Sequence, residues 1–470
     1  MKTSRPALSR RSVVAGAVPA TLAGLAGGLA MPLAAQAAAG QTAAGQTPAG
    51  AAKGRATYQF LAAPDMNFEV LFALGESAYG AGEAGEVLAT VDAINAAGAS
   101  YQTFFDNFMT LAARLDKLAS EAARMGDRVT TRSASLRAAQ YYDQALFFVL
   151  GTAKPDREPA IYAAMQRNWA RAASLFVPAF EPVSIPYEQT TIPGYFMAGK
   201  GAGHARRPTV IIMNGSDAQN IDVYAFGGAA AIERGWNALI FEGPGQGSML
   251  FERKIPFRPD WENVITPIVD FLVKRPDVDA SRIGLTGWSF GGGLVTRAAA
   301  FEHRLAAVCA DPGYLSAWAA YPPSLRDLFD HGMSKARIDG IWQQDIVPKL
   351  TPQERFTLSK RSEIFGVSYL EDARAGQMFP SLWDYAHTLM QYDIAAFAPK
   401  VETPMLVIQY ELDQFFPGGG KALYDLLRCS KTLVTFTEAE GAGLHDCPLA
   451  PQRRNEVVFD WLEKTCKIQG

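Results

Sequence analysis

The pentapeptide Gly287-Trp288-Ser289-Phe290-Gly291 constrains this chain more than any other stretch of it. It reads G-x-S-x-G. An apolar run of strand character at 283–286 precedes it, and a Gly- and Ala-rich run of helical composition follows. A serine on so tight a strand-to-helix turn needs small neighbours, because the backbone folds back on itself and glycine avoids the Cβ clash. Such a turn lifts the hydroxyl to the top of a sheet. It also aims the positive end of the following helix at the hydroxyl. Ser289 is therefore the candidate nucleophile.

A serine hydroxyl needs a base. The chain holds five histidines: His204, His303, His331, His387 and His445. His204 precedes the nucleophile in a Gly/Arg-rich loop, and His303 is expected late in the helix after Ser289, turned from the site. His331 and His387 fall in a later segment and are candidates to meet substrate. His445 follows the last predicted strand and precedes an amphipathic helix with Val457, Val458, Trp461 and Leu462. A loop there delivers imidazole over the nucleophile, so His445 is the candidate base. A carboxylate must hold its tautomer. Asp413, after the predicted strand at 405–409, gives the chain order Ser, acid, His. Glu411 competes for that role, and Asp446 is a candidate neighbour of the base. Backbone N–H donors for a developing oxyanion, each worth about 3 kcal/mol of barrier, are expected from Phe290 and Ser216. Ser216 lies in the loop Asn214-Gly215-Ser216-Asp217, which Asn214 and Asp217 are expected to order.

The pattern around these residues alternates. Apolar runs at 209–213, 238–241, 283–286, 305–309, 405–409 and 432–436 predict buried parallel strands. Helical stretches between them predict a doubly wound α/β sheet. Residues 183–187 and 192–197 resemble a hairpin at its start. Phe104, Phe105, Phe108, Leu111, Leu115 and Leu118 recur at helical spacing, as do Leu136, Tyr141, Leu146 and Val149. The expected organisation is an N-terminal helical domain over 57–181, an α/β core over 182–311 and 400–470, and a helical cap insertion over 312–399. The N-terminal helices are expected to pack on the core and roof its pocket. The run Gly243-Pro244-Gly245-Gln246-Gly247 lacks the Lys-Ser/Thr ending of a phosphate loop and reads as a turn after a strand.

Ser9-Arg10-Arg11-Ser12-Val13-Val14 is a twin-arginine pattern, with a weakly apolar stretch behind it and Ala35-Gln36-Ala37 as a cleavage site. It predicts a signal peptide over 1–37, a disordered linker over 38–56 and export to the periplasm or beyond, without stable membrane insertion after cleavage. A formal net charge of −3 offers no basic footprint for nucleic acid. No zinc-type cysteine spacing occurs, so neither metal nor cofactor is expected, and the expected partner is a small-molecule substrate, with a homodimer as the candidate assembly. Cys309, Cys429, Cys447 and Cys466 allow three full pairings, and the sequence chooses none.

Five blocks in order resemble one branch of the α/β-hydrolases: 185–196, Asn214 to Asp217, Phe241 to Gly247, Gly287 to Gly293, and the His445 loop. The branch includes dihydroxypseudooxynicotine hydrolase and fungal hydrolases that shorten polyketide chains. The similarity spans about residues 60 to 465. It implies an α/β-hydrolase fold, with Ser289, Asp413 and His445 as triad and Ser216 and Phe290 as oxyanion donors. It also implies hydrolysis of a carbon–carbon bond beside a ketone, with an ester or amide hydrolase as the alternative. The nicotine-pathway enzyme carries a glutamate after the strand corresponding to 305–309, and the stretch from Asp311 to Trp318 offers no evident equivalent.

Overall fold

The computed structural model describes residues 58–201, 206–330 and 332–467. The expected signal peptide and linker lie outside these residues, as do His204 and His331.

Five helices open the described chain: α1 (Pro64–Gly75), α2 (Ala84–Ala97), α3 (Tyr101–Arg124), α4 (Arg128–Phe148) and α5 (Glu158–Ala173). Helix α3 starts cleanly because Ser100 and Thr103 form a reciprocal capping box. Its apolar stripe buries Phe104, Phe105, Phe108, Leu111 and Leu115. Each such side chain contributes about 1.5–3 kcal/mol on leaving water. Leu118, expected on the same stripe, is 39% exposed, so the buried face ends one turn early. Helix α4 buries nearly its whole circumference from Ala134 to Leu146, because α3 and α5 flank it and the core lies beneath.

The α/β architecture expected from the alternation is present. Eight strands form one sheet in the order β1-β2-β4-β3-β5-β6-β7-β8. They are β1 (Glu181–Tyr187), β2 (Thr190–Met197), β3 (Arg207–Met213), β4 (Asn237–Phe241), β5 (Val278–Trp288), β6 (Ala307–Asp311), β7 (Met405–Tyr410) and β8 (Lys431–Phe436). The hairpin β1–β2 pairs Ile185 with Ile192, and β2 meets β4 antiparallel. All other neighbours are parallel. The central strands β4 and β6 are buried at every residue, as apolar runs covered on both faces must be.

Strand β5 runs straight to Trp288, and α6 (Gly291–Ala299) leaves two residues later. His303 sits beyond the end of that helix, 53% exposed and 3.8 Å from Glu402, rather than within the helix as expected. Between β6 and β7 the chain makes α7 (Pro323–Asp330), α8 (Lys335–Ile341), α9 (Pro352–Ser362), α10 (Val367–Arg374) and α11 (Leu382–Met390). Helix α12 (Pro451–Thr465) closes the described chain. All four cysteines are free thiols. Among the described residues, no helix is long and apolar enough to cross a membrane.

Candidate active site

Ser289 occupies a strained turn. Its φ is +53°, a left-handed conformation that L-residues rarely adopt, on the step between β5 and α6. The turn is held by the Ser289 N–H donating to the Asp311 carbonyl at 2.7 Å and by the Gly292 N–H donating to the Ser289 carbonyl at 3.0 Å. The flanking glycines are required by space. A Cβ on Gly287 would stand 2.3 Å from the Gly291 carbonyl oxygen, and one on Gly292 would stand 1.9 Å from that of Pro312.

The acid and base loops are pinned to each other. The Leu412 N–H donates to the Gly443 carbonyl at 2.8 Å, and Leu412 and Leu444 form an isolated parallel bridge. Asp413 and His445 thereby face one another. The Ser289 Oγ lies 3.0 Å from His445 Nε2, and His445 Nδ1 lies 3.1 Å from Asp413 Oδ1. The same Oδ1 accepts the N–H groups of Phe415 and Phe416, both at 2.9 Å. Burial works against the Asp413 charge, but the His445 ring and these N–H groups prevail and hold its pKa below the ordinary carboxylate value. Glu411, the competing acid, is exposed and instead accepts the Glu438 N–H at 2.8 Å.

His445 is also deeply buried. Burial lowers its pKa, but the charges of Asp446 and Asp413 outweigh this and raise it to about 9. Asp446 itself is driven well up, first by burial. Its Oδ2 lies 3.3 Å from His445 Nε2, and its Oδ1 has no hydrogen-bond partner.

The loop after β3 lies against the nucleophile. A Cβ on Gly215 would meet the Ser289 Cβ at 2.7 Å and the Phe290 nitrogen at 3.3 Å. Asn214 and Asp217 do order this loop: the Asn214 amide donates to the Ala218 carbonyl, and Asp217 accepts Arg361 of α9. Arg361 also reaches the Ser216 Oγ at 3.2 Å. The main clamp was not foreseen. The Gln246 amide donates to the carbonyls of Asn214 and Gly215, each at 2.9 Å, so the Gly243–Gly247 run braces this loop.

Asp311, at the end of β6, is fully buried and does not line the site. Its carboxylate takes the Arg454 Nε at 2.5 Å and the Tyr410 hydroxyl. The remaining histidines stay apart. The His387 Nδ1 lies 2.8 Å from the Trp383 carbonyl, its ring stacks on Trp383, and it is not part of the cavity wall.

One cavity meets Ser289, His445 and Asp446. The cap contributes Tyr321, Arg361 and Phe365 to its wall. The N-terminal helices contribute aromatic residues Phe68, Phe72 and Phe147, together with Glu69, Glu76, Asp143 and Gln144. These polar residues escaped sequence reasoning, because a charge on a helix reads as a solvated face until its neighbours are known. Among the described residues, no group of three or more His, Cys, Asp or Glu side chains is arranged to hold a metal ion.

Comparison with known proteins fits this architecture. A family model described as the alpha/beta hydrolase family matches residues 217–461, and one described as esterase FrsA-like matches residues 111–317. The chain is 29% identical over 425 residues to hydrolase acrC of Aspergillus aculeatus, covering 86% of this chain and 88% of that protein. It is 28% identical over 429 residues to the 20-hydroxy-prefusarin hydrolase FUS2 of Gibberella moniliformis, covering 88% and 99%. Among solved structures, 2,6-dihydroxy-pseudo-oxynicotine hydrolase superposes with a TM-score of 0.62 at 20% identity, covering 83% of this chain and 95% of that one. The fold is the α/β-hydrolase fold.

Proposed function

Given that the chain belongs to the alpha/beta hydrolase family, we propose that it is a serine hydrolase with Ser289 as nucleophile, His445 as base and Asp413 as the acid that orients it. The observation that carries this reading is the unbroken chain of contacts from Ser289 Oγ to His445 Nε2 at 3.0 Å and from His445 Nδ1 to Asp413 Oδ1 at 3.1 Å.

In this mechanism His445 takes the Ser289 proton as Oγ adds to a substrate carbonyl. The N–H groups of Ser216 and Phe290 receive the oxyanion. Their roles are supported by Gly215 packing directly on Ser289 and the Phe290 nitrogen. The intermediate collapses by breaking the bond to the leaving group, which takes its proton from the His445 imidazolium. Water then hydrolyses the acyl-enzyme by the same proton path, releasing an acid and restoring Ser289.

The reading extends to a leaving carbanion stabilised beside a ketone, which would make the enzyme a C–C hydrolase of a small aromatic or polyketide-like compound. The aromatic wall and the likeness to a 20-hydroxy-prefusarin hydrolase favour it. The match to an esterase-type model over residues 111–317 favours the second reading, an ester hydrolase. Labelling by a fluorophosphonate, lost in Ser289→Ala, tests the nucleophile; a folded protein that takes no label overturns it. A panel of nitrophenyl esters, aminoacyl amides and β-diketones separates the bond types, and turnover of esters alone removes the C–C reading. Export by the twin-arginine route is part of the same proposal. Its test is the N-terminus of the mature protein, expected at Ala38 and unprocessed in Arg10→Lys/Arg11→Lys.

A further inference from the structure

The cavity beside Ser289 has two unlike ends. Around the nucleophile it is aromatic, with Trp288, Phe290 and Phe365. Where α1 and α4 meet the segment after β3, it is acidic. Glu69 on α1, Glu76 just after it, Asp143 on α4 and Asp222 in the short helix Asn220–Val223 all line it. Four carboxyl groups in one wall call for positive charge, and the protein does not supply it. The two nearest cations are already engaged: Arg361 with Asp217, and Lys360 with Glu363 at 2.8 Å. Among the described residues, none of the four carboxyls lies within ion-pair distance of a lysine or arginine.

A second observation points to a ligand. Glu76 is 1% exposed, yet its Oε2 has no hydrogen-bond partner. Gln144, 2% exposed and beside Asp143 on α4, leaves its Oε1 unpartnered as well. Both residues line the cavity. A buried polar atom left unpaired costs about 1–3 kcal/mol, so such atoms need an explanation. Both orphans are acceptors. What would satisfy them is a group that donates N–H or O–H bonds, and the surrounding carboxyls select a positively charged one. No set of three ligating side chains converges here on a metal position. The ring faces of Phe68, Phe72 and Phe147 add surfaces suited to an organic cation.

We propose that this acidic end is a substrate-recognition subsite for a protonated amine, built from Glu69, Glu76, Asp143 and Asp222 with the Gln144 carbonyl. The proposal rests on the serine-hydrolase reading of the same cavity and deepens it: the substrate is a carbonyl compound that carries an ammonium group away from the scissile bond. The titration of the cluster agrees with this. Burial first, and repulsion among the carboxyls second, push Glu69, Glu76 and Asp143 well above the carboxylate range, and Asp222 to about 6. Lys360 and Arg361 act against that rise on Glu69, and Asp217 adds to it. The empty cluster therefore holds protons that an incoming ammonium displaces.

Binding tests this without relying on turnover. The probes are 4-phenylbutylamine, 4-phenylbutan-1-ol and 4-phenylbutyrate, titrated calorimetrically into the full chain, both wild type and Ser289→Ala. The amine is expected to bind about tenfold tighter than the alcohol, with the carboxylate weakest. Repeating the titration in buffers of different ionisation enthalpy should show proton release with the amine alone. In Glu76→Gln, and separately in Asp143→Asn, the amine-to-alcohol ratio should fall towards one. The two variants guard against a single misfolded one, and unchanged melting curves certify each. Alcohol binding as tight as amine binding, or an amine preference that survives both substitutions, overturns the subsite. A wild-type protein that prefers the amine yet takes no label at Ser289 would keep the subsite and remove the hydrolase reading, so the two failures are distinguishable.

Discussion

Asp446 Oδ2 stands 3.3 Å from the Nε2 of His445, the nitrogen that faces Ser289. The base thus has a carboxyl group on each side: Asp413 at Nδ1 and Asp446 at Nε2. Burial alone would lower the imidazole pKa, but Asp446 is the larger of the two charges that raise it to about 9. A general base must be neutral to accept the Ser289 proton, so kcat/KM for a neutral ester should fall as pH drops below about 9. In Asp446→Asn one raising charge is gone, and the acid limb should move to lower pH. A limb in the variant that coincides with the wild-type limb would refute the role given to Asp446. The sign for stability runs the other way. A raised histidine pKa stabilises the fold fully below the unfolded-state value of about 6.5, and the contribution is lost as pH rises through about 9.

Gly215 should be irreplaceable for chemistry though its backbone is ordinary. Its Cβ in Gly215→Ala would stand 2.7 Å from the Ser289 Cβ and 2.8 Å from the Trp288 carbonyl oxygen. Neither neighbour is a flexible tip, so the loop carrying Ser216 must retreat. Losing one oxyanion donor costs about 10²–10³ in kcat. Gly215→Ala should lose about that much while melting within a few degrees of wild type. Steady-state kinetics with a nitrophenyl ester decides it, and wild-type kcat would show that the loop is not in the reaction path.

Much of this was legible beforehand because the signals are local. Five apolar residues in a row, as at Ala307–Asp311 or Asn237–Phe241, leave few options but a covered strand. The Ser289 turn shows itself through glycines whose Cβ atoms have nowhere to go. What stayed hidden depends on long-range pairing. Asp311 sits at a strand end where a site residue belongs, and only the fold reveals Arg454, 143 positions later, neutralising it. Gln246 lies in a run that reads as a turn, yet its amide reaches back more than thirty residues to brace the Ser216 loop. Glu69, Glu76 and Asp143 are dispersed over α1, its following turn and α4, and no spacing rule would group them.

Arg454 and Asp311 supply a stability prediction. Arg454 is 2% exposed and Asp311 is fully buried. Arg454→Met strips the cation from a buried carboxylate whose remaining side-chain partner is the Tyr410 hydroxyl. Removing one member of such a pair costs about 3–5 kcal/mol. Urea unfolding should show that loss, and Arg454→Met/Asp311→Asn should recover part of it, because the stranded charge is then gone. A double variant as unstable as the sum of its parts would show that the pair is not energetically coupled. Because the Asp311 carbonyl accepts the Ser289 N–H, the single variant should lose activity too.

The last prediction concerns the geometry at Asp413. Three donors converge on its Oδ1: the His445 Nδ1 and the N–H groups of Phe415 and Phe416. Its Oδ2 has no partner at all. In Asp413→Asn the amide can keep its oxygen at the Oδ1 position, because three N–H groups favour an acceptor there, and can turn its NH₂ to the vacant side. The His445 tautomer then survives and only the negative charge is lost. The fall in kcat should therefore be smaller than the ~10⁴ seen where an amide inverts the imidazole tautomer. Asp413→Ala removes the acceptor from all three donors and should be the more damaged of the two, in kcat and in stability. Equal kcat losses in the two variants would mean that the amide does not hold the ring, and that Oδ2 or a rearranged loop carries the role assigned to Oδ1.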